Sequence, residues 1–214
     1  MGCRGVQISA GQPGTRPQDL GESARRDLIA AARRHELVLS GVDAWAHAED
    51  LIDPTRVGVA LEAIFAAITL ASDLGRLSVS LRLPELPPES EVVAAIAEAA
   101  ARLGVVVLDH GVPIVEREPG IEVGIDPPVW LAAGRDPVDG VREAAARLGS
   151  VRVADLTPDG TRDAVGGAES KFDLYEYLIT ARVVGFEGLW VIDARQYNDV
   201  EHGIRRTLQL LAHH

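Results

Sequence analysis

Seven short apolar runs, at residues 5–9, 37–43, 77–83, 105–109, 121–126, 151–155 and 189–193, alternate along this chain with Ala/Leu/Arg-rich segments. Each run is close to continuously apolar and rich in β-branched residues, without the in/out alternation of a strand that has one wet face. That texture belongs to strands covered on both sides, as in parallel sheets. The intervening segments, at 23–34, 55–74, 90–103, 136–148, 171–184 and 200–212, have helical spacing. Ser23 and Ser90 are placed as caps, Gly104 and Gly149 as stops, and Pro137 lies in a first turn. Strand-then-helix order repeated through 214 residues predicts the α/β class with a parallel sheet, closed or doubly wound.

The closed form is favoured by a recurring ending. Asp73-Leu-Gly75, Arg102-Leu-Gly104 and Arg147-Leu-Gly149 each precede a strand, as short αβ turns do. No Gly-x-Gly-x-x-Gly follows any run, so a dinucleotide site has no support. A complete (β/α) barrel has eight strands, and about seven are visible here. Residues 110–120, with Pro113 and Pro119, form a link of the ~10–12 residues a crossover needs, without the pattern of a helix. An extended link of that length spans roughly 33 Å, enough to return along a strand of about 17 Å. The expectation is an incomplete or shortened TIM-type barrel, a single domain over 1–214, with a coil crossover at 111–118.

Charge and composition narrow the partners. The balance of 21 basic against 32 acidic side chains, net −11, argues against nucleic acid and anionic membranes. Cys3 is the only cysteine, which excludes an intrachain disulfide and a cysteine-rich zinc site. There is no apolar run of membrane-spanning length, and the first residues lack the apolar core of a signal peptide, so a cytoplasmic location is expected.

Five of the seven runs close on an aspartate: Asp43, Asp109, Asp126, Asp155 and Asp193. In a barrel these ends gather at the face where binding and catalytic groups sit. Carboxylates gathered there repel unless a cation neutralises them. Arg152, always charged and able to fork onto carboxylates, is the cation within reach. The structural reading is that such aspartates cap the next turn, and Asp126 before Pro127-Pro128 and Asp53 before Pro54 suit it. Trp45 offers a ring face for stacking on a ligand, whereas Trp130 and Trp190 suit helix-on-sheet packing. His47 and His110 follow Asp43 and Asp109 and are candidate ligands or bases; the alternative is an ordinary loop histidine. His35, at a helix end, reads as structural. The loop at 156–170 offers Arg162 and Gly166-Gly167 for a phosphate, or is simply a surface loop.

The order of segments resembles the sugar phosphate isomerase/epimerase family, the xylose isomerase-like TIM barrels. The matching pieces are Leu37-Val-Leu-Ser-Gly-Val-Asp-Ala-Trp45, Ile121-Glu-Val-Gly-Ile-Asp126, Val151-Arg-Val-Ala-Asp155, Gly166-Gly-Ala-Glu-Ser170 and Gly185-Phe-Glu-Gly-Leu-Trp-Val-Ile-Asp193. On this alignment residues 5–9 match the family's second strand, and the first βα unit is missing. The resemblance implies a divalent metal held by a glutamate, an aspartate, a histidine and a second glutamate. Asp109 falls at the first glutamate, Asp126 at the aspartate and Asp193 at the last glutamate. The family's histidines fall on Val129 and Arg152.

The resulting expectation is a degenerate metal site and a small polar or sugar-like ligand. Asp109, Asp126, Arg152 and Asp193 would carry the chemistry, with Asp43, Trp45, His47, His110 and Asp155 around the ligand. No cofactor is expected. Two alternatives stand beside it. In one, an active isomerase or epimerase holds Mg²⁺ or Mn²⁺ on Asp109, Asp126 and Asp193. In the other, a non-metal lyase or hydrolase uses Arg152 as an anion clamp. A missing strand would also leave open sheet edges, which invite a homodimer.

Overall fold

The β-branched runs of the first half form strands wherever a parallel neighbour takes up their backbone groups. The computed structural model describes residues 2–87, 90–167, 170 and 173–212, and these fall into two compact units, split between Glu122 and Val123. In the first, β1 (Gly5–Ser9), β2 (Val38–Asp43), β3 (Val79–Leu81) and β4 (Val107–Asp109) are parallel and ordered β1-β2-β3-β4. Helices α1 (Glu22–Arg34), α2 (Val57–Asp73) and α3 (Glu91–Leu103) connect them, with a 3₁₀ turn at Ala48–Leu51. In α2, Ala60, Ile64, Ala67, Ile68 and Ala71 are buried, a stripe at helical spacing facing strand residues Val42 and Val79 in one core. Each buried Ile contributes about 1.5–3 kcal/mol by leaving water.

Helix ends follow backbone demands more than capping residues. Gly104 stops α3 at φ 65°, the left-handed conformation glycine adopts without strain. Ser90 sits at the N-cap of α3 but its side chain makes no capping bond, and Gly21 rather than Ser23 precedes α1. From 110 to 120 the chain is irregular and contains no helix, as expected for this link.

With β5 (Ile121–Ile125), which straddles the split, β6 (Leu148–Val153) and, after the short β7 (Asp155–Leu156) and β8 (Arg162–Asp163), β9 (Trp190–Ile192) of the second unit complete the seven parallel strands. Here β6 lies between β5 and β9, while β7 and β8 form an antiparallel hairpin. The helices are α4 (Pro127–Ala132), α5 (Pro137–Ala144), α6 (Leu174–Val183) and α7 (Val200–Ala212). Lys171, where the sequence begins the sixth helix, lies outside the described residues. The expected stop at Gly149 is corrected: α5 ends at Ala144, and Gly149 lies inside β6. Pairing of Leu148 with Val123 requires extended chain there, so the helix breaks early, at Ala145 with φ 43°. No helix among the described residues is long and apolar enough to cross a membrane.

Gly140 in α5 gives a test of this packing. A Cβ there would lie 2.6 Å from Cζ2 of Trp130, whose side chain is fully buried. In an exposed helix interior Gly→Ala stabilises by about 1 kcal/mol; here overpacking reverses the sign. Gly140→Ala is expected to lower stability by about 1–3 kcal/mol, read from the urea midpoint.

Candidate functional site

Parallel register assembles the main cluster. Ile125 pairs with Val151, so Asp126 and Arg152 stand level, and Arg152 pairs with Val191, two residues before Asp193. A strand repeats its facing every two residues, so Arg152 lies on the same face as both aspartates. Its Nη1 lies 3.3 Å from Oδ2 of Asp126 and 3.3 Å from Oδ2 of Asp193. All three side chains are no more than 5% exposed.

The tighter bonds come from two other arginines. Asp126 occupies the N-cap of α4, yet its side chain makes no capping bond, contrary to the capping reading. The next two residues, Pro127 and Pro128, have no N–H to offer, and the Val129 N–H goes to the Asp126 carbonyl. The carboxylate turns instead to Arg162, which donates from Nη1 to Oδ1 and from Nη2 to Oδ2, both at 2.7 Å. Nη1 of Arg162 also lies 3.1 Å from Oδ2 of Asp193. Arg195 grips Asp193 through Nε to Oδ1 at 2.7 Å and Nη2 to Oδ2 at 2.5 Å. Burial pushes the Asp193 carboxyl up. The Arg195 bonds and the charges of Arg152 and Arg162 outweigh that and leave it below the usual carboxylate range. Beneath the cluster, the fully buried Tyr177 hydroxyl donates to the Arg152 carbonyl at 3.1 Å. Burial and the Asp126 charge raise this phenol well above its ordinary value, so it stays a donor.

Asp109, in the other unit, does a different job. Its Oδ1 accepts from Leu83 N–H at 2.9 Å and Gly111 N–H at 2.8 Å, and its Oδ2 from Nε of Arg117 at 3.1 Å. Arg117 reaches on to the Pro84 and Leu86 carbonyls. The carboxylate thus ties the irregular link to the chain after β3. Burial raises the Asp109 carboxyl, and these donors offset that only in part. Gly111 is required here, since a Cβ would stand 2.7 Å from the Leu83 carbonyl oxygen.

The remaining candidates divide by place. Asp43, at the end of β2, is 8% exposed and pairs in register with Ser80. Trp45 is 57% exposed and packs its Cβ against Gly11. His47 is exposed at the start of the 3₁₀ turn, whereas His110 is buried and its N–H donates to Leu81. Asp155 is buried in the hairpin rather than at a strand end, and its Oδ1 accepts from Leu156 N–H. Asp53 does cap, accepting from the Thr55 N–H and hydroxyl and from Arg56, which hold its carboxyl at about 2.

Sequence reasoning missed the partners Arg117 and Arg195, and it read Arg162 as part of a loop that either holds a phosphate or is a plain surface loop. One signal for Arg162 was present: Thr157-Pro-Asp-Gly-Thr161 is a hairpin turn, which returns the chain so that Arg162 lies opposite Leu156.

A divalent ion needs several carboxylate or imidazole lone pairs converging on one point. Both Asp126 and Asp193 turn both oxygens onto guanidinium groups, and Val129 and Arg152 stand where the resemblance places histidines. Among the described residues no group of three or more His, Cys, Asp or Glu is placed to hold a metal.

The low carboxyl of Asp193 makes a pH prediction. Its stabilising contribution is complete above the unfolded value of about 3.9 and is lost as pH falls through the lower folded value. The urea midpoint of the native protein should therefore decline below about pH 4. Arg195→Gln should cost about 1–3 kcal/mol at pH 7 and flatten that acid limb.

No family model matches this chain, and no curated protein matches it. Solved structures do. The chain is 17% identical to a xylose isomerase domain protein from Planctomyces limnophilus, covering 97% of this chain and 86% of that one, with a TM-score of 0.74. A D-tagatose 3-epimerase-like protein is 14% identical over 98% and 90% of the two chains, with a TM-score of 0.72. L-ribulose 3-epimerase is 16% identical over 99% and 84%, also at 0.72. The chain therefore has the fold of the xylose isomerase-like TIM barrels, with seven parallel strands.

Proposed function

We propose that this chain binds a small polar, sugar-like ligand without a divalent metal, on a fold shared with sugar isomerases and epimerases. The observation that carries this reading is the arginine cluster. Guanidinium groups fill the role of a cation between Asp126 and Asp193. The fold likeness supports a sugar-like ligand by analogy, because the named neighbours include tagatose- and ribulose-epimerase structures.

The electrostatics favour binding over proton transfer. A carboxylate that is to remove a proton beside a carbonyl works best with a value near the working pH. Asp193 is held below the ordinary range, which makes it a weak base. Asp109 is raised, but its oxygens hold Leu83, Gly111 and Arg117 in place.

The test is metal analysis of the purified protein, calorimetric titration with Mn²⁺ and Mg²⁺, and thermal melts with EDTA and with a panel of pentoses, hexoses and polyols. The reading predicts no stoichiometric ion, no change in Tm with EDTA, and a raised Tm with at least one of the sugars. One Mn²⁺ per chain whose removal lowers Tm would overturn it in favour of a metal-dependent isomerase or epimerase.

A further inference from the structure

Parallel strands, with helices returning between them, bring the strand starts and helix ends of the first unit to one end. Five arginines stand there at exposed positions. Arg4 precedes β1, and its carbonyl accepts from the Val38 N–H at 2.9 Å, where β2 begins. Arg33 and Arg34 close α1, Arg102 lies in the last turn of α3, and Arg76 follows α2 at φ 59°. The turns are tied together. The Ser72 hydroxyl donates to the Leu103 carbonyl at 3.3 Å, and Cδ of Arg76 lies 3.5 Å from where a Cβ on Gly104 would stand.

Many arginines elsewhere are matched, as in Arg25–Asp73, Arg117–Asp109, Arg135–Glu143 and Arg205–Glu201. Arg4, Arg33, Arg34, Arg76 and Arg102 form no ion pair among the described residues. Acids are sparse at this end: Arg25 holds Asp73, which leaves Glu36 among the turns and Glu118 and Glu122 at the margin where β5 begins. The other end of the same unit has the reverse sign. Asp50 and Asp53 hold Arg56 there, and the exposed Asp19, Glu22, Glu49, Glu85 and Glu91 outnumber Arg16 and Arg82. Glu22 also meets Arg26, one turn on, at 3.8 Å. Matching to helix dipoles accounts for Arg33, Arg34 and Arg102 in last turns and for Glu22 and Glu91 in first turns. It does not account for Arg4 and Arg76, which lie outside any helix.

We propose that the arginine end of the first unit docks on the acidic end of the same unit in a second copy of this chain, a head-to-tail contact held by charge. Nucleic acid and anionic membranes present like charge over their whole surface to a chain of net −11, whereas a second copy carries the complementary patch. The two faces differ, so the contact is heterologous and repeats: a copy bound at one end still offers its other face. Single exposed ion pairs contribute little, so the contact needs several arginines together. The inference is independent of what the chain binds.

The experiment is sedimentation velocity of the full chain over a concentration series at two salt levels, about 0.1 M and about 1 M. At the lower one the Debye length is about 10 Å, so repulsion between the net charges is damped while contacts of a few ångströms survive; at the higher it is about 3 Å. The proposal predicts a sedimentation coefficient that rises with concentration past that of a dimer at the lower salt and stays monomeric at the higher. The triple variants Arg33→Gln/Arg34→Gln/Arg76→Gln and Glu22→Gln/Glu49→Gln/Glu91→Gln should each be monomeric. Mixed, they should form heterodimers that grow no further, because each retains the face the other lacks. All six side chains are exposed, and circular dichroism checks each fold; if a variant does not fold, the wild-type salt series decides. A wild type that is monomeric at the lower salt overturns the proposal, whether or not phosphatidylserine vesicles or duplex DNA then bind the arginine end. An assembly that stops at the dimer, or persists at the higher salt, overturns it too.

Discussion

A guanidinium buried between two strand-end carboxylates is the constraint around which the second unit is organised. Arg152 on β6 cannot leave water without partners, because an isolated buried charge is far more costly than any single packing contact recovers. The register of β5 and β9 on either side supplies those partners, Asp126 and Asp193. Two carboxylates so close would in turn repel, and Arg162 and Arg195 complete the neutralisation. Such a network specifies geometry more than it adds stability, since apolar replacements of whole buried ion clusters are often neutral or better. It lies at the strand ends, the place where barrels carry their chemistry.

The first unit solves a different problem with the same chemistry. Where a helix would cover the step after β4, the chain has an irregular link, whose backbone groups need partners of their own. Asp109 and Arg117 provide them, binding Leu83, Gly111, Pro84 and Leu86. The same aspartate that the family resemblance assigns to a metal thus serves the backbone here.

Much of the fold was legible because burial on both faces writes itself as unbroken apolar runs. The run at 5–9 is β1 and the segment at 200–212 is α7, residue for residue. What failed were boundaries set by tertiary pairing: α5 yields to the β5–β6 ladder before its glycine, and the hairpin of β7 and β8 interrupts a strand expected to run to Asp155. At the site, Asp126, Arg152 and Asp193 were legible as strand-end residues, and the structure brings them together. Arg162 as partner of Asp126 was not, because the two are 36 positions apart and are joined only by the hairpin. The capping reading of Asp126 failed for a local reason, as two prolines remove the donors a cap requires.

The metal-independent reading places guanidinium groups, not an ion, between Asp126 and Asp193. Anomalous diffraction from crystals soaked in Mn²⁺ checks it. Planar density for Arg152 and Arg162 between the carboxylates, with no anomalous peak there, is the expected result. A peak at coordination distance from both aspartates, about 2.0–2.2 Å, with the arginines displaced, would contradict it.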